Sequence, residues 1–273
     1  MTIMINTLKH YISVNYYYAR LAILRQLEYP FFLVSWLLVL PLQYLTGIWM
    51  IKFVLNSFNS LNGWTFNELA FIYGLSLISH ALVVIFFIQS WHMSGMVING
   101  EFDRLLLRPM NVFFQFSSSN INFVGFIDLI PAIIIFSYGC IAIGFEWTLI
   151  NILKLLFSII GATLIQCAIF IIIGTISFWT KKSSSLTWLT LEIIERTTMY
   201  PIAIFPIAIR FLLTVVPIGF ITYYPSLDLI GKKTSFKPII PYSILTLLIG
   251  IIAFVICIVL FNRGLKQYES SGS

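Results

Sequence analysis

Apolar residues gather into long runs separated by short polar breaks, and the length of those runs decides the fold class. Residues 31–54, 66–91, 120–143, 150–179 and 239–261 are apolar with almost no charge. About twenty such residues wound as a helix cross the ~30 Å hydrocarbon core of a bilayer. The strands of a transmembrane barrel alternate apolar and polar residues over only about ten positions, so these runs predict helices. Ahead of the first run, Ile5, Leu8, Ile12, Tyr16, Ala19, Ile23 and Leu27 recur at three- and four-residue steps, while Lys9, Ser13 and Arg20 fall off the stripe. That period predicts an amphipathic helix over 5–27 lying on the membrane surface. Pro30 then turns the chain into the first span.

The stretch 183–238 holds apolar residues enough for two crossings, but Pro201, Pro206, Pro217 and Pro225 interrupt it. Proline leaves backbone carbonyls unpaired, so such segments shelter in protein or line a cavity. A span over 186–200 followed by a re-entrant outer segment over 201–237 is the preferred arrangement. A span over 206–223 preceded by an interfacial helix is the alternative. Either way the segment crosses once, and the expectation is an all-α, polytopic membrane protein: one transmembrane domain over 1–273 with six transmembrane helices.

Loop charge orients the chain. Lys9, Arg20, Arg25, Arg104, Arg108, Lys181, Lys182, Arg263 and Lys266 fall on one side; Lys52, Lys154, Lys232, Lys233 and Lys237 fall on the other. The richer side is expected to be cytoplasmic, with both termini on it. No cleavable signal is read in residues 1–29, where Lys9, Arg20, Arg25 and Glu28 interrupt any apolar core.

Composition removes the rival classes. The 273 residues are 59% hydrophobic and 10% charged, with mean hydropathy +0.97, whereas soluble domains carry charge on roughly a quarter of their residues. The net charge of +6 is scattered between spans without a basic tract, which suits anionic lipid and not nucleic acid. Cys140, Cys167 and Cys257 all sit in apolar runs without ligand spacing and read as packing residues.

Catalytic chemistry is hard to find. The string nearest a phosphate-binding loop is Gly231-Lys232-Lys233-Thr234, but Ser226 stands where the leading glycine is needed and Lys232 is not followed by Ser or Thr. It reads as an exposed outer turn. His10, His80 and His92 are too scattered for a metalloprotease motif, and no nucleophile elbow occurs. His80, inside the second span, reads as an interior hydrogen-bonder. No catalytic residue, metal site or cofactor is predicted in this chain. The polar feature that stands out is Glu192, Glu195 and Arg196, spaced three and four apart on one helical face, with Arg210 in the proline-rich stretch. An unpaired charge at bilayer centre costs ~2.5–3.5 kcal/mol, so this face points into a wet interior, or else the helix is interfacial and its charges meet water. As acid and base, Glu192 and Glu195 would suit a membrane-embedded lipid-modifying enzyme; as proton carriers, an ion-coupled secondary transporter.

Gly100 to Pro109, GEFDRLLLRP, resembles the G-x-x-D-x-L-L-x-[RK]-P stretch of the ABC type-2 transporter permeases. The ending Arg263-Gly264-Leu265-Lys266-Gln267-Tyr268-Glu269-Ser270 is similar to the R-G-L-x-x-Y-E-S ending of one branch of that family. Tyr200-Pro201, Pro206, Arg210, Pro217 and Tyr224-Pro225 match that branch's proline-punctuated segment. The resemblance covers essentially the whole chain. It implies six spans in a bacterial plasma membrane, cytoplasmic termini, and a re-entrant pair of short helices before the last span. It also implies an exporter permease that works as a dimer with an identical or related chain, and a separate ABC ATPase that carries ATP and Mg. Residues 92–118 would be the coupling segment, with Gly100, Glu101, Asp103, Arg104, Arg108 and Pro109 meeting the ATPase. Glu192, Glu195, Arg196 and Arg210 are the candidates for the translocation pathway, the first three on physical grounds alone.

Overall fold

The long apolar runs are helices in the computed structural model, which describes residues 30–57, 60–118, 121–232 and 239–269, with Ser13, Tyr16, Tyr17, Arg20, Leu21, Leu24 and Glu28 ahead of them. Most of the amphipathic helix expected over 5–27 lies outside the described residues, as do Lys233, Lys237 and Ser270; Ser13, Tyr16, Tyr17, Arg20, Leu21 and Leu24 are helical and exposed.

Helix α1 (Pro30–Ser57) starts on a proline, whose missing N–H is no loss in a first turn. Helix α2 (Phe66–Phe87) starts at a capping box: the Thr65 side chain accepts from the Glu68 amide and Glu68 accepts from the Thr65 amide. It bends at Ile88 into α3 (Gln89–Ile98), where the Ser90 hydroxyl donates to the Phe87 carbonyl at 2.7 Å and competes with the helical ladder. The second span is thus helical past residue 91, and the turn into the polar segment falls at Asn99 and Gly100. Two short helices follow, α4 (Glu101–Leu106) and α5 (Val112–Ser118). Helix α6 (Val124–Ala142) begins later than the expected residue 120, because Asn122 hydrogen-bonds the Val124 amide and its own amide goes to the Ile85 carbonyl. Helix α7 (Leu149–Thr175) bends at Ile176 into α8 (Ser177–Thr180), with the Ser177 hydroxyl on the Gly174 carbonyl at 2.6 Å. Helix α9 (Ser184–Thr198), α10 (Ile207–Val215), α11 (Tyr223–Ile230) and α12 (Tyr242–Leu265) complete the chain.

The fold is all-α; among the described residues the only β pairing is an isolated bridge from Leu61 to Trp64. Five helical stretches are long and apolar enough to cross a membrane: Pro30–Ser57, Phe66–Ile98, Val124–Ala142, Leu149–Thr180 and Tyr242–Leu265. A sixth is available if Ile207–Val215 and Ile218–Ile230, which meet at 76°, count as one broken span. Helix α9, over the expected fifth span 186–200, has only 15 residues, rich in Ser, Thr and charge, and is not among these stretches.

Packing is tightest along two helix pairs. Helices α7 and α12 touch backbone to backbone: a Cβ placed on Gly250 would lie 2.6 Å from the Gly161 carbonyl oxygen, so only glycine fits there. Helices α2 and α6 interlock similarly, with Gly74 against Phe136 and Gly139 against Phe71. Helix α1 leans mainly on α6 and leaves most of its surface exposed. At the α2 start, Lys232 pairs with Glu68 at 2.7 Å, donates to the Gly63 carbonyl at 2.7 Å and sits over the Trp64 ring, which ties the end of α11 to the start of α2.

Candidate functional site

Two places in this frame carry chemistry. The first is the junction at α4. Gly100 caps the helix at φ +67°, a left-handed conformation that side chains disfavour. The amphipathic helix that follows plants Phe102 and Leu105 inward, half-buries Glu101 and Asp103 and exposes Arg104; Arg108 and Pro109, in the turn after it, are exposed too. Arg104 lies 3.9 Å from Glu101, an exposed pair worth little energetically.

Phe102, fully buried, is the hub of an aromatic cluster: its ring lies 5.0 Å from Phe178, 5.9 Å from Phe116, 6.1 Å from Phe261 and 5.7 Å from Tyr268. Gly264 lets α12 close on Phe178, where a Cβ would stand 2.7 Å from the ring. The two sequence motifs, GEFDRLLLRP and RGLKQYES, therefore meet in space. Gln115 locks the far end of α4, its amide donating to the Leu105 carbonyl at 3.1 Å, which the helix end would otherwise leave unpaired, and to the Met110 carbonyl of the connection at 2.9 Å. The Tyr268 hydroxyl is buried beside Asp103; burial first, and that carboxylate second, push its pKa up to about 12.

The second place is a cavity of about 190 Å³ between α1, α2 and α9, near the middle of α1. Tyr44, Tyr73, Ser76, His80, Gln166, Glu195, Arg196 and Thr198 are among its lining residues. Hydrogen bonds knit its floor: Tyr44 donates to Asp128 of α6, Ser76 to Thr198 at 2.7 Å, and Gln166 to Ser79 at 2.8 Å. The Tyr44 and Tyr73 rings meet edge to face at 6.5 Å, and His80 lies against Trp91 at 5.5 Å.

The four charged candidates divide. Glu192 and Arg196 form the expected four-residue pair at 3.3 Å, both largely exposed. Glu195 is half-buried and turns into the cavity, with Arg196 at its rim. Arg210 stands apart on α10, donating to the Ala203 carbonyl at 2.7 Å and stapling the bent segment. Glu192 and Glu195 do not converge on one point as an acid and base would. Tyr44, Asp128 and Gln166 escaped the sequence reading, although a carboxylate inside the third apolar run was signal enough to single out Asp128. Among the described residues no group of three or more His, Cys, Asp or Glu comes together to hold a metal.

Long apolar helices, a short charged helix clamped at one end and a polar cavity at mid-height define a multi-pass integral membrane protein. The chain matches the family described as ABC-2 family transporter protein over residues 41–272 and belongs to it. Membership implies the role of an ABC transporter permease, a subunit that typically carries no ATPase domain. No curated protein and no solved structure matches the chain.

Proposed function

We propose that this chain is the permease subunit of an ABC exporter, paired with an identical or related chain and driven by a separate ATPase that docks on α4. The carrying observation is the junction itself. Helix α4 presents Arg104 outward and the turn after it presents Arg108, while Phe102 fastens the helix to α5, α8 and α12. A push on a short helix held this way moves the spans, which a loose loop would not do. In this reading both termini are cytoplasmic, α9 makes the fifth crossing with residues above it turning back in the 76° bend before α12, and Glu192, Glu195 and Arg196 face the pathway between two permeases. ATP and Mg belong to the partner.

The test is assembly. Arg104→Glu with Arg108→Glu should cut copurification of the ATPase about tenfold while leaving the permease in the membrane, since charge pairs steer such contacts. Normal assembly and subunit-dependent ATP hydrolysis in that double variant would reduce both arginines to topology signals.

A further inference from the structure

The cavity wall is unbalanced in what it offers a ligand. A hydroxyl has one proton to give, and each serine and threonine lining this cavity has spent it within the protein: Thr46 on the Gln43 carbonyl at 2.5 Å, Ser76 on Thr198 at 2.7 Å, Thr198 on the Ile194 carbonyl at 2.7 Å. Tyr44 spends its own on Asp128.

Gln166 completes the pattern. The Ser79 proton is committed to the Ser76 carbonyl at 2.8 Å, so Ser79 must accept from the Gln166 amide nitrogen at 2.8 Å. That fixes the amide orientation and leaves the Gln166 Oε1, fully buried in the cavity-lining residue, with no donor. Glu195 adds a half-buried carboxylate that has no hydrogen-bond or ion-pair partner among the described residues, because its neighbour Arg196 turns to Glu192. The protons still on offer belong to the Tyr73 hydroxyl, the His80 ring, the Gln43 amide and, at the rim, the Arg196 guanidinium, whose Nε is engaged by Glu192. The Gln166 Oε1 and the Glu195 carboxylate thus stand without a donor, and such acceptors are completed by a ligand bringing N–H groups and positive charge. Two tyrosine rings meeting edge to face add surfaces that favour a cation. At the mouth Met50, which lines the cavity one helical turn after Gly47, is exposed and adds apolar surface along α1.

We propose that this cavity binds the ammonium head of an amphipathic amine, with Glu195 as counter-ion, Gln166 Oε1 as N–H acceptor and the apolar body lying along α1. The inference rests on the permease reading for its meaning, since it names the class of molecule carried, but binding needs no ATPase.

The experiment uses the full chain in phosphatidylcholine nanodiscs and measures equilibrium binding of three probes of equal chain length, dodecylammonium, dodecanol and dodecanoate, against protein-free discs. Dodecylammonium should bind saturably and about tenfold more tightly than either of the others. Glu195→Gln should lose about tenfold of that affinity, Glu195→Asp should keep most of it, and Gln166→Met should lose about threefold. Equal binding of the three probes, or a charge preference that survives Glu195→Gln, overturns the site. The probe comparison stands on the unaltered protein should a variant fail to fold. Failure of an ATPase to assemble would overturn the exporter reading and leave this result untouched.

Discussion

The junction at α4 and the cavity beside α1 are built on opposite principles. Around Phe102 the chain packs ring on ring, with separations of 5.0 to 6.1 Å and a hub that no solvent reaches. Beside α1 it lines a hollow with hydroxyls, an amide and a carboxylate, and leaves an acceptor unpaired. Close packing makes an interior stiff and able to transmit strain, and the α7–α12 seam that ends in the aromatic junction has that character. A hollow costs stability, so its presence beside the middle of α1 signals a use other than holding the fold together.

Two glycines offer the sharpest test of the contrast. Gly250→Val sets a side chain against the Gly161 carbonyl, backbone that cannot retreat without parting α7 from α12. Loss of about 3 kcal/mol, the upper end for overpacking, is expected, read as a large fall in the thermal midpoint of the detergent-solubilised protein. Gly47→Ala also meets atoms, the hydroxyl, Cζ and Cε1 of Tyr73, but all belong to one side chain that borders the cavity and not to backbone. Its midpoint should fall much less. Equal losses would mean that the hollow is as rigid as the seam.

Next in size is the bond that holds α1 to α6. Tyr44→Phe leaves the buried Asp128 carboxylate without its donor and should cost about 2 kcal/mol. Asp128→Asn, whose side-chain carbonyl still accepts from Tyr44, should cost less. The check is the thermal midpoint together with thiol labelling of a cysteine placed at Leu40, buried in the unaltered protein and expected to label faster when α1 loosens. A Tyr44→Phe protein as stable as the parent would show that α1 is held by apolar contact alone.

The two regions also differ in how far the sequence disclosed them. Five spans are legible because hydropathy over twenty residues is a summed signal that local detail cannot erase, whereas the stretch 183–238, broken by prolines and charge, does not yield its crossing this way. The junction was half legible: Gly100, Asp103 and Arg108 stood in a pattern, but Phe102 occupied one of its free positions, and its partners Phe178, Phe261 and Tyr268 come from segments 76 to 166 residues further along. The Glu192–Arg196 pair follows from helical spacing alone and is present at 3.3 Å. The direction of Glu195 does not follow, since one helix face can split between a pair facing out and a carboxylate facing in. Gln166 carried no signal at all, because only the partner's committed proton at Ser79 reveals which amide atom is left over.

The smallest effect belongs to Tyr268, and it separates ring from hydroxyl within the junction. Tyr268→Phe keeps the rings that lie 5.7 Å from Phe102 and 5.9 Å from Phe178 and deletes only the hydroxyl beside Asp103. A change within about 0.5 kcal/mol is expected, whereas Tyr268→Ala should weaken both stability and ATPase coupling. The pH dependence follows from the sign of the shift. Tyr268 is held at about 12 against an ordinary 10.0, by burial and then by Asp103, so the folded protein favours the neutral phenol. Its contribution is complete below the unfolded value and is lost as pH rises from there through about 12. The thermal midpoint should therefore show no Tyr268-dependent change between about pH 6 and pH 9, and an alkaline loss that Tyr268→Phe reduces. A Phe variant that uncouples transport at neutral pH would place the work of the junction in the hydroxyl and Asp103, and the dry ring-on-ring account of that region would fall.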